Sequence, residues 1–187
     1  MGAVHLVPSE HVLFIGKSNA VIVPGEHGLS RFAADELMPL VGLAGQEAIG
    51  GKLHVTNLRL VFCAHPFNRL RGSLSTPLPA VTAIRPWRSG LTIGVEVESG
   101  VATQRYVIWS RKKLIETVEN AIRAFGAAEQ DQFDRVRGTL EGLEVNRIAE
   151  TLNSAARQIF DVTGSRPTAL ELIGILNFLG PDAPTRA

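Results

Sequence analysis

The stretch GGKLHVTNLRLVF, residues 50–62, decides the fold because its apolar alternation changes phase in the middle. Successive side chains of an extended strand point to opposite faces. Leu53 and Val55 therefore share one face, whereas Leu58, Leu60 and Phe62 have the opposite parity. A single straight strand would turn half of these apolar side chains to solvent, which a core-forming segment does not tolerate. The chain must therefore change direction within this stretch.

We predict that the reversal lies at Thr56-Asn57. Asparagine tolerates positive φ and bonds its own backbone, so it is a suitable turn residue. The flanking residues then form two short antiparallel strands, Lys52–Val55 and Leu58–Ala64. Both apolar sets can face a common interior only after such a turn.

The rest of the first 125 residues has a similar pattern of short strands and turns. VLFIGKSNAVIV (12–23) predicts a hairpin or one bent strand. VATQRYVIW (101–109) predicts a further strand. In LTIGVEVESG (91–100) the inward positions are Leu91, Ile93, Val95 and Val97. Helical spacing follows, with Ser110 as N-cap and Gly126 as stop. An antiparallel β-sheet system that ends in one amphipathic helix is expected.

Residues 126–187 carry helical periodicity and predict two or three helices, with a break near Gly142. Thr168 and Glu171 form a capping box for the last helix, which ends at Gly180. This helix is apolar on nearly all sides and must be covered. One interpretation packs it on the preceding helices or on the sheet. The other makes it a partner or dimerisation surface, through Leu172, Ile175, Leu176 and Leu179.

The charge is distributed unevenly along the 187 residues, although the formal net charge is only +1. Ala48–Val95 holds six lysines and arginines and no acidic residue, so this window carries +6. Beyond Gly126, nine acidic and six basic residues give −3. Such asymmetry bears on association rather than on the fold.

The motif around the turn resembles the GRAM domain of the pleckstrin-homology-like superfamily. Its recurring positions are occupied by Gly51, Thr56, Asn57, Arg59 and Phe62, and the likeness extends over Ser9–Phe125. The resemblance implies an α+β fold: a partly open antiparallel β-barrel of two near-orthogonal sheets, capped by a helix. It places this domain at residues 1–125 and leaves 126–187 as a helical extension. The insertion Gly25–Glu47, with a short helix predicted from Ser30 to Met38, departs from the family pattern.

The resemblance also implies a non-catalytic module that binds phosphoinositide-like acidic headgroups or a protein surface. Arginine and lysine side chains on turns suit that chemistry. The predicted ligand-binding residues are Lys52, Arg69, Arg71, Arg85 and Arg88, with Phe67 as a membrane wedge. The alternative is that these cations only solvate the strand ends. The alternative function is protein–protein interaction or oligomeric assembly through the apolar last helix, without lipid binding.

Two aromatic side chains and one basic run complete the predictions for this surface. Trp87 and Trp109 are expected to pack in the core or at its rim, with anchoring at an interface as the alternative. The run Arg111-Lys112-Lys113 opens a helix, where the macrodipole disfavours cations. It is either plain surface or a binding patch, and the sequence leaves both interpretations open.

Other chemistries find little support in the sequence. The GKS at Gly16–Ser18 lacks the earlier glycine of a phosphate-binding loop, because His11 stands there. Cys63 is the single cysteine and predicts a buried free thiol. We therefore expect no catalytic centre, metal or cofactor. The basic window has few aromatic residues, which makes nucleic acid an improbable partner. With no membrane-spanning segment and no disulfide framework, the cytoplasm is expected, with peripheral attachment to a membrane.

Overall fold

The computed structural model describes residues 4–22, 46–68, 70–100, 102–140, 152, 154–162 and 167–179. Seven strands come first: β1 (Val12–Ile22), β2 (Glu47–Thr56), β3 (Arg59–Ala64), β4 (Ser73–Pro77), β5 (Val81–Ser89), β6 (Thr92–Ser99) and β7 (Ala102–Val107). Four helices follow: α1 (Arg111–Ala124), α2 (Ala127–Leu140), α3 (Ser154–Ile159) and α4 (Ala169–Leu179). The predicted helix at 30–38 and the predicted break near Gly142 lie outside the described residues.

The predicted chain reversal at Thr56-Asn57 is confirmed, but the hydrogen bonds that close the turn differ from those predicted. Leu53 pairs with Phe62 and Val55 with Leu60, so these four side chains face one interior. Leu58 departs from the prediction, because it lies in the turn between the strands and packs in a separate apolar cluster. Asn57 does not have positive φ. Instead, the Thr56 hydroxyl accepts hydrogen bonds from the amides of Leu58 (3.1 Å) and Arg59 (3.0 Å). A threonine side chain that bonds to following amides is a known means of closing a turn. Asn57 uses its side chain elsewhere.

All strands belong to one antiparallel sheet in the order β4-β3-β2-β1-β7-β6-β5. Residues 12–22 form a single strand, and this settles the choice between a hairpin and one strand. Thr76 on β4 donates to the Gln104 side chain on β7 over 2.8 Å. These strands are four steps apart, which in a flat sheet would separate them by about 19 Å. The sheet therefore curls into a partly open barrel.

The barrel interior is filled by side chains from both halves of the sheet and from α1. Phe62 and Tyr106 lie with ring centroids 5.9 Å apart. Leu114, Val118 and Ala121 of α1 join the same core, so this helix closes one end of the barrel. Inward Val95 and Val97 agree with the prediction, but Leu91 is 85% exposed because it lies in the β5–β6 turn, beyond the core.

The helical extension packs on the outside of the barrel. We call its apolar contacts the outer cluster: Val7, Leu58, Ala80, Phe133, Val136, Leu140, Leu152, Ala156, Ile159, Phe160, Val162, Ile175 and Phe178. Helix α4 reaches both cores, because Leu170 and Ile173 belong to the barrel core. All residues of β3 and β4 are buried as a result. Strand β4 is an edge strand, and its cover protects it from pairing with another chain.

Candidate functional site

The structure separates the five predicted headgroup ligands. Lys52 lies within β2, and Arg71 is exposed in the loop between β3 and β4 (residues 65–72). Arg85 and Arg88 lie on β5, the opposite edge strand of the sheet. Arg69 lies outside the described residues. The predicted set is therefore not one site.

Arg85 is engaged by acidic neighbours on β6. It pairs with Glu96 (2.8 Å) and with Glu98. Burial raises the pKa of the Glu96 carboxyl, but hydrogen bonds from Arg105 and Arg85 outweigh this and hold the pKa below its usual value. The stretch without acidic residues, Ala48–Val95, ends one residue before Glu96. Antiparallel pairing of β5 with β6 therefore neutralises the positive charge of Arg85, which the sequence alone leaves available for a ligand.

Arg59 is a structural residue, only 1% exposed. Its Nε donates to Glu10 over 2.8 Å, and its Nη1 donates to Ser75 (3.2 Å) and to the Ile159 carbonyl. Its Nη2 donates to the His5 carbonyl over 2.7 Å. The guanidinium therefore joins the N-terminal segment, the sheet and the end of α3.

The other positions of the GRAM-like motif also serve the fold. A Cβ on Gly51 would lie 2.2 Å from the Cys63 carbonyl oxygen, so β2 and β3 approach too closely there for any side chain. The Asn57 carboxamide accepts from the His11 amide over 2.8 Å and anchors the segment before β1. Phe62 is fully buried. The motif therefore specifies packing and not a ligand.

A cleft of about 580 Å³ is the strongest candidate for a ligand site. Three parts of the chain line it: Lys17, Ser18 and Asn19 of β1; Gly50, Gly51 and Lys52 of β2; and Cys63, Ala64, His65, Pro66 and Asn68 at the end of β3 and in the following loop. The His65 amide donates to the Gly50 carbonyl over 2.9 Å, and the Asn68 side chain donates to the same oxygen. These bonds hold the loop against β2.

Two lysines face each other in this cleft. Lys17 and Lys52 are direct cross-strand partners in the β1–β2 register. Opposite residues of an antiparallel pair have Cβ atoms about 5 Å apart, and like charges at such positions are destabilising. Both ammonium groups would attract an anionic ligand in the cleft. The sequence does not identify Lys17 as a ligand-binding residue, because Gly16–Ser18 taken alone is only an incomplete phosphate-binding loop. Lys17 and Lys52 become neighbours only through the register of β1 and β2.

Phe67 projects beside the cleft and is 92% exposed. The centroid of its ring lies 5.3 Å from that of His65. Arg71 is exposed on the same loop. A protruding phenyl ring next to cations is an arrangement suited to an anionic interface, where the ring is buried and the charges meet headgroups.

Two buried titratable side chains occur in this region: Cys63 lines the cleft, and His54 lies two residues after Lys52 on β2. Burial raises the pKa of the Cys63 thiol, so it remains protonated and chemically quiet. Burial lowers the pKa of His54, and nearby Lys52 lowers it further. Among the described residues no cluster of histidine, cysteine, aspartate or glutamate could hold a metal ion.

The four apolar positions predicted for a partner surface lie on α4. Ile175 is fully buried in the outer cluster, while Leu172, Leu176 and Leu179 are half-buried. The capping box is confirmed, because the Thr168 amide donates to Glu171 over 2.6 Å and the Glu171 amide to the Thr168 hydroxyl over 3.4 Å. None of the helices in the described ranges is both long and apolar enough to cross a bilayer.

Trp109 contradicts the prediction of core or rim packing, because it is 89% exposed. It lies between β7 and α1, next to Ile108, and it is Ile108 that fills the barrel core while Trp109 faces solvent. Trp87 is half-buried, with the Arg105 guanidinium 5.5 Å from its ring centroid. The tryptophans thus occupy different environments, which the sequence does not distinguish.

No protein-family model matches the chain, and no curated protein matches it either. Solved structures with similarity include the C-terminal domain of an unknown protein from Leishmania infantum (13% identity, 62% of this chain, 87% of that chain, TM-score 0.43). The N-terminal PH domain of human ARAP2 is 13% identical over 61% of this chain and 82% of that chain, with TM-score 0.39. The Vps36 N-terminal PH domain is 12% identical over 64% of this chain and 83% of that chain, with TM-score 0.42.

The strand order gives the fold class independently of these scores. Four strands and then three form successive antiparallel meanders, joined through β1 and β7. A helix follows the seventh strand and closes the barrel interior. The chain therefore has a pleckstrin-homology-like α+β fold with a packed helical extension.

Proposed function

We propose that this protein is a non-catalytic targeting module that binds a phosphate-bearing lipid headgroup in the cleft between β1, β2 and the loop at residues 65–72. The observation that carries the proposal is the cross-strand pair of Lys17 and Lys52 beside the exposed ring of Phe67. The structural roles of Gly51 and Arg59 support assignment to the GRAM branch of the fold.

The chemistry of the cleft supports a phosphate. Lysine ammonium groups act as point charges toward phosphate oxygens, and a phosphomonoester carries enough negative charge to satisfy both. Gly50 has no side chain, and a Cβ built there would lie 3.5 Å from the nearest atom, Asn19 Oδ1, so the ligand can approach the β2 backbone at this position. Arg71 remains free of the acidic strands that engage Arg85 and can add long-range attraction to an anionic surface.

Vesicle cosedimentation tests the proposal. We expect binding to phosphatidylcholine vesicles that contain a phosphoinositide and no binding to phosphatidylcholine alone. The double variant Lys17→Glu/Lys52→Glu should bind at least tenfold more weakly, which corresponds to about 1.4 kcal/mol. Arg135→Glu, an exposed charge on α2, is the matched control and should bind like the wild type.

A second experiment distinguishes headgroup binding in the cleft from insertion of Phe67 into the membrane. Phe67→Ala should weaken vesicle binding, because burial of an aromatic side chain contributes about 1.5–3 kcal/mol. It should leave the affinity for a soluble inositol phosphate unchanged. Equal binding to charged and neutral vesicles, or full binding by the double lysine variant, would exclude this function.

A further inference from the structure

The end of the barrel where α1 begins carries a second exposed patch, formed by residues other than those that line the lysine cleft. The β5–β6 turn and the end of β7 lie at the same end of the antiparallel sheet. Leu91 in this turn is 85% exposed and Trp109 after β7 is 89% exposed. Large apolar side chains with such exposure, grouped at one end of a domain, are typical of an interaction surface.

A groove of about 390 Å³ lies beside these residues, between β5 and α1. Its apolar lining comes from Pro86 and Ile115, and its charged lining from Arg111, Lys112 and Glu116. The groove can therefore accept an apolar side chain while cations stand at its margin. Pro86 removes a backbone donor from the edge strand, which disfavours a partner that adds a strand to β5.

Charge identifies the kind of partner. The exposed cations at this end are Arg88 at the turn and Lys112 and Lys113 in the first turn of α1, with Arg111 half-buried beside them. The first turn of α1 contains no acidic residue, and Ser110 makes no side-chain cap. Cations at a helix N-terminus oppose the macrodipole. Among the described residues that line the groove, Glu116, 4.0 Å from Lys112, is the only acidic one.

We propose that this patch, comprising Leu91, Trp109, Arg111, Lys112 and the Pro86–Ile115 groove, docks an acidic protein segment that carries apolar side chains. The partner's carboxylates meet the cations and relieve their unfavourable position at the helix end. Its apolar side chains cover Trp109 and Leu91 and enter the groove. The β5–β6 turn and the loop that carries Phe67 lie at opposite ends of their strands, whereas Val107, two residues before Trp109, pairs with Asn19 of the cleft.

The probe is a fluorescein-labelled peptide of alternating glutamate and leucine, compared with a lysine–leucine peptide, and the readout is anisotropy of the full chain. We expect binding of the acidic peptide only. Arg111→Glu/Lys112→Glu should weaken it at least tenfold, and Trp109→Ala at least threefold. The double variant should fold, because acidic residues are favourable at a helix N-terminus. Arg123→Glu, in the last turn of the same helix, is the control and should bind like the wild type.

The fluorescence of Trp109, followed in the Trp87→Phe background, reports directly on the patch. A blue shift with the acidic peptide supports docking. The proposal is overturned if the acidic peptide does not bind, if Arg111→Glu/Lys112→Glu binds it as well as the control does, or if the blue shift occurs only with anionic vesicles. That last outcome would identify a membrane contact instead. Vesicle binding through Lys17 and Lys52 is measured separately and should not change in Arg111→Glu/Lys112→Glu.

Discussion

At the scale of single residues, Arg59 connects segments that are far apart in the chain. Its guanidinium bonds to Glu10, to the His5 carbonyl and to the Ile159 carbonyl. A buried charge needs such partners, because an unpaired ion in the protein interior is strongly unfavourable. The arginine therefore holds the helical extension and the N-terminal segment on the barrel.

We expect Arg59→Ala to lower the free energy of unfolding by about 3–5 kcal/mol, because it leaves the Glu10 carboxylate buried without its partner. Urea denaturation measures this change. Arg71→Ala, at an exposed position, is the control and should stay within about 0.5 kcal/mol of the wild type. A loss below 1 kcal/mol for Arg59→Ala would mean that the ion pair does not support the fold.

His54 should make stability depend on pH. Its pKa is lowered from 6.5 by burial and by Lys52, while Asp161 opposes the shift. The unfolded chain therefore binds a proton at this histidine before the folded chain does. The stabilising effect is present above pH 6.5 and is lost as the pH falls from that value through the lower folded pKa.

Thermal melts between neutral and mildly acidic pH test this. The Tm of the wild type should fall over that interval by more than the Tm of His54→Gln, since the variant lacks the titrating group. Comparison of the two proteins cancels the other four histidines. Parallel pH profiles would show that His54 is not the cause.

At the scale of elements, α4 packs closely against β4 through Gly174. A Cβ on Gly174 would lie 2.7 Å from the Ser75 carbonyl oxygen and 3.1 Å from its amide nitrogen. The helix backbone therefore rests directly on the strand. Gly138 in α2 provides a natural comparison, because nothing lies within 4 Å of a Cβ built there.

These two glycines give a matched pair of substitutions. Gly138→Ala should stabilise the protein by up to about 1 kcal/mol, because alanine has the higher helix propensity. Gly174→Ala should destabilise it by more than about 1 kcal/mol, because the added methyl group forces α4 away from β4. Denaturant midpoints measured side by side decide this. Equal effects of the two substitutions would contradict the close contact.

At the scale of the whole molecule, the extension covers the barrel instead of standing apart from it. The outer cluster includes Leu58 from the β2–β3 turn and Val7 from the N-terminal segment, together with side chains from α2, α3 and α4. Helix α4 has a buried residue, Ile175, at the centre of the surface proposed for a partner. The three half-buried leucines beside it are what this helix leaves for assembly.

Truncation after Asp161 should therefore destabilise the barrel itself. Removal of α4 exposes β4 as an unpaired edge and opens both cores. We expect a lower Tm and concentration-dependent aggregation, measured by light scattering. The point variant Leu176→Ser, at a half-buried position, keeps the helix and isolates its outer surface. A stable truncated chain with an unchanged Tm would show that the extension is dispensable for the fold.

The fold and the site differed in how far the sequence could predict them. Phase change and alternation located the strands and the closing helix, because these patterns depend on neighbours in the chain. The lysine cleft depends on which residues face each other across two strands. Lys17 and Lys52 are 35 positions apart, and 23 of the intervening residues lie outside the described ranges. The residues around Lys17 in the sequence do not indicate that it pairs with Lys52.

The sequence by itself determined the reversal at residues 56–57, the amphipathic helix after the strands and the capping box of the last helix. Each follows from side chains within a few positions of one another, where periodicity and local hydrogen bonds are sufficient. Only the tertiary structure decided that Glu96 and Glu98 engage Arg85, that Arg59 is buried with Glu10, and that Lys17 meets Lys52. These are long-range pairings, and strand register and helix docking set them once the sheet has curled.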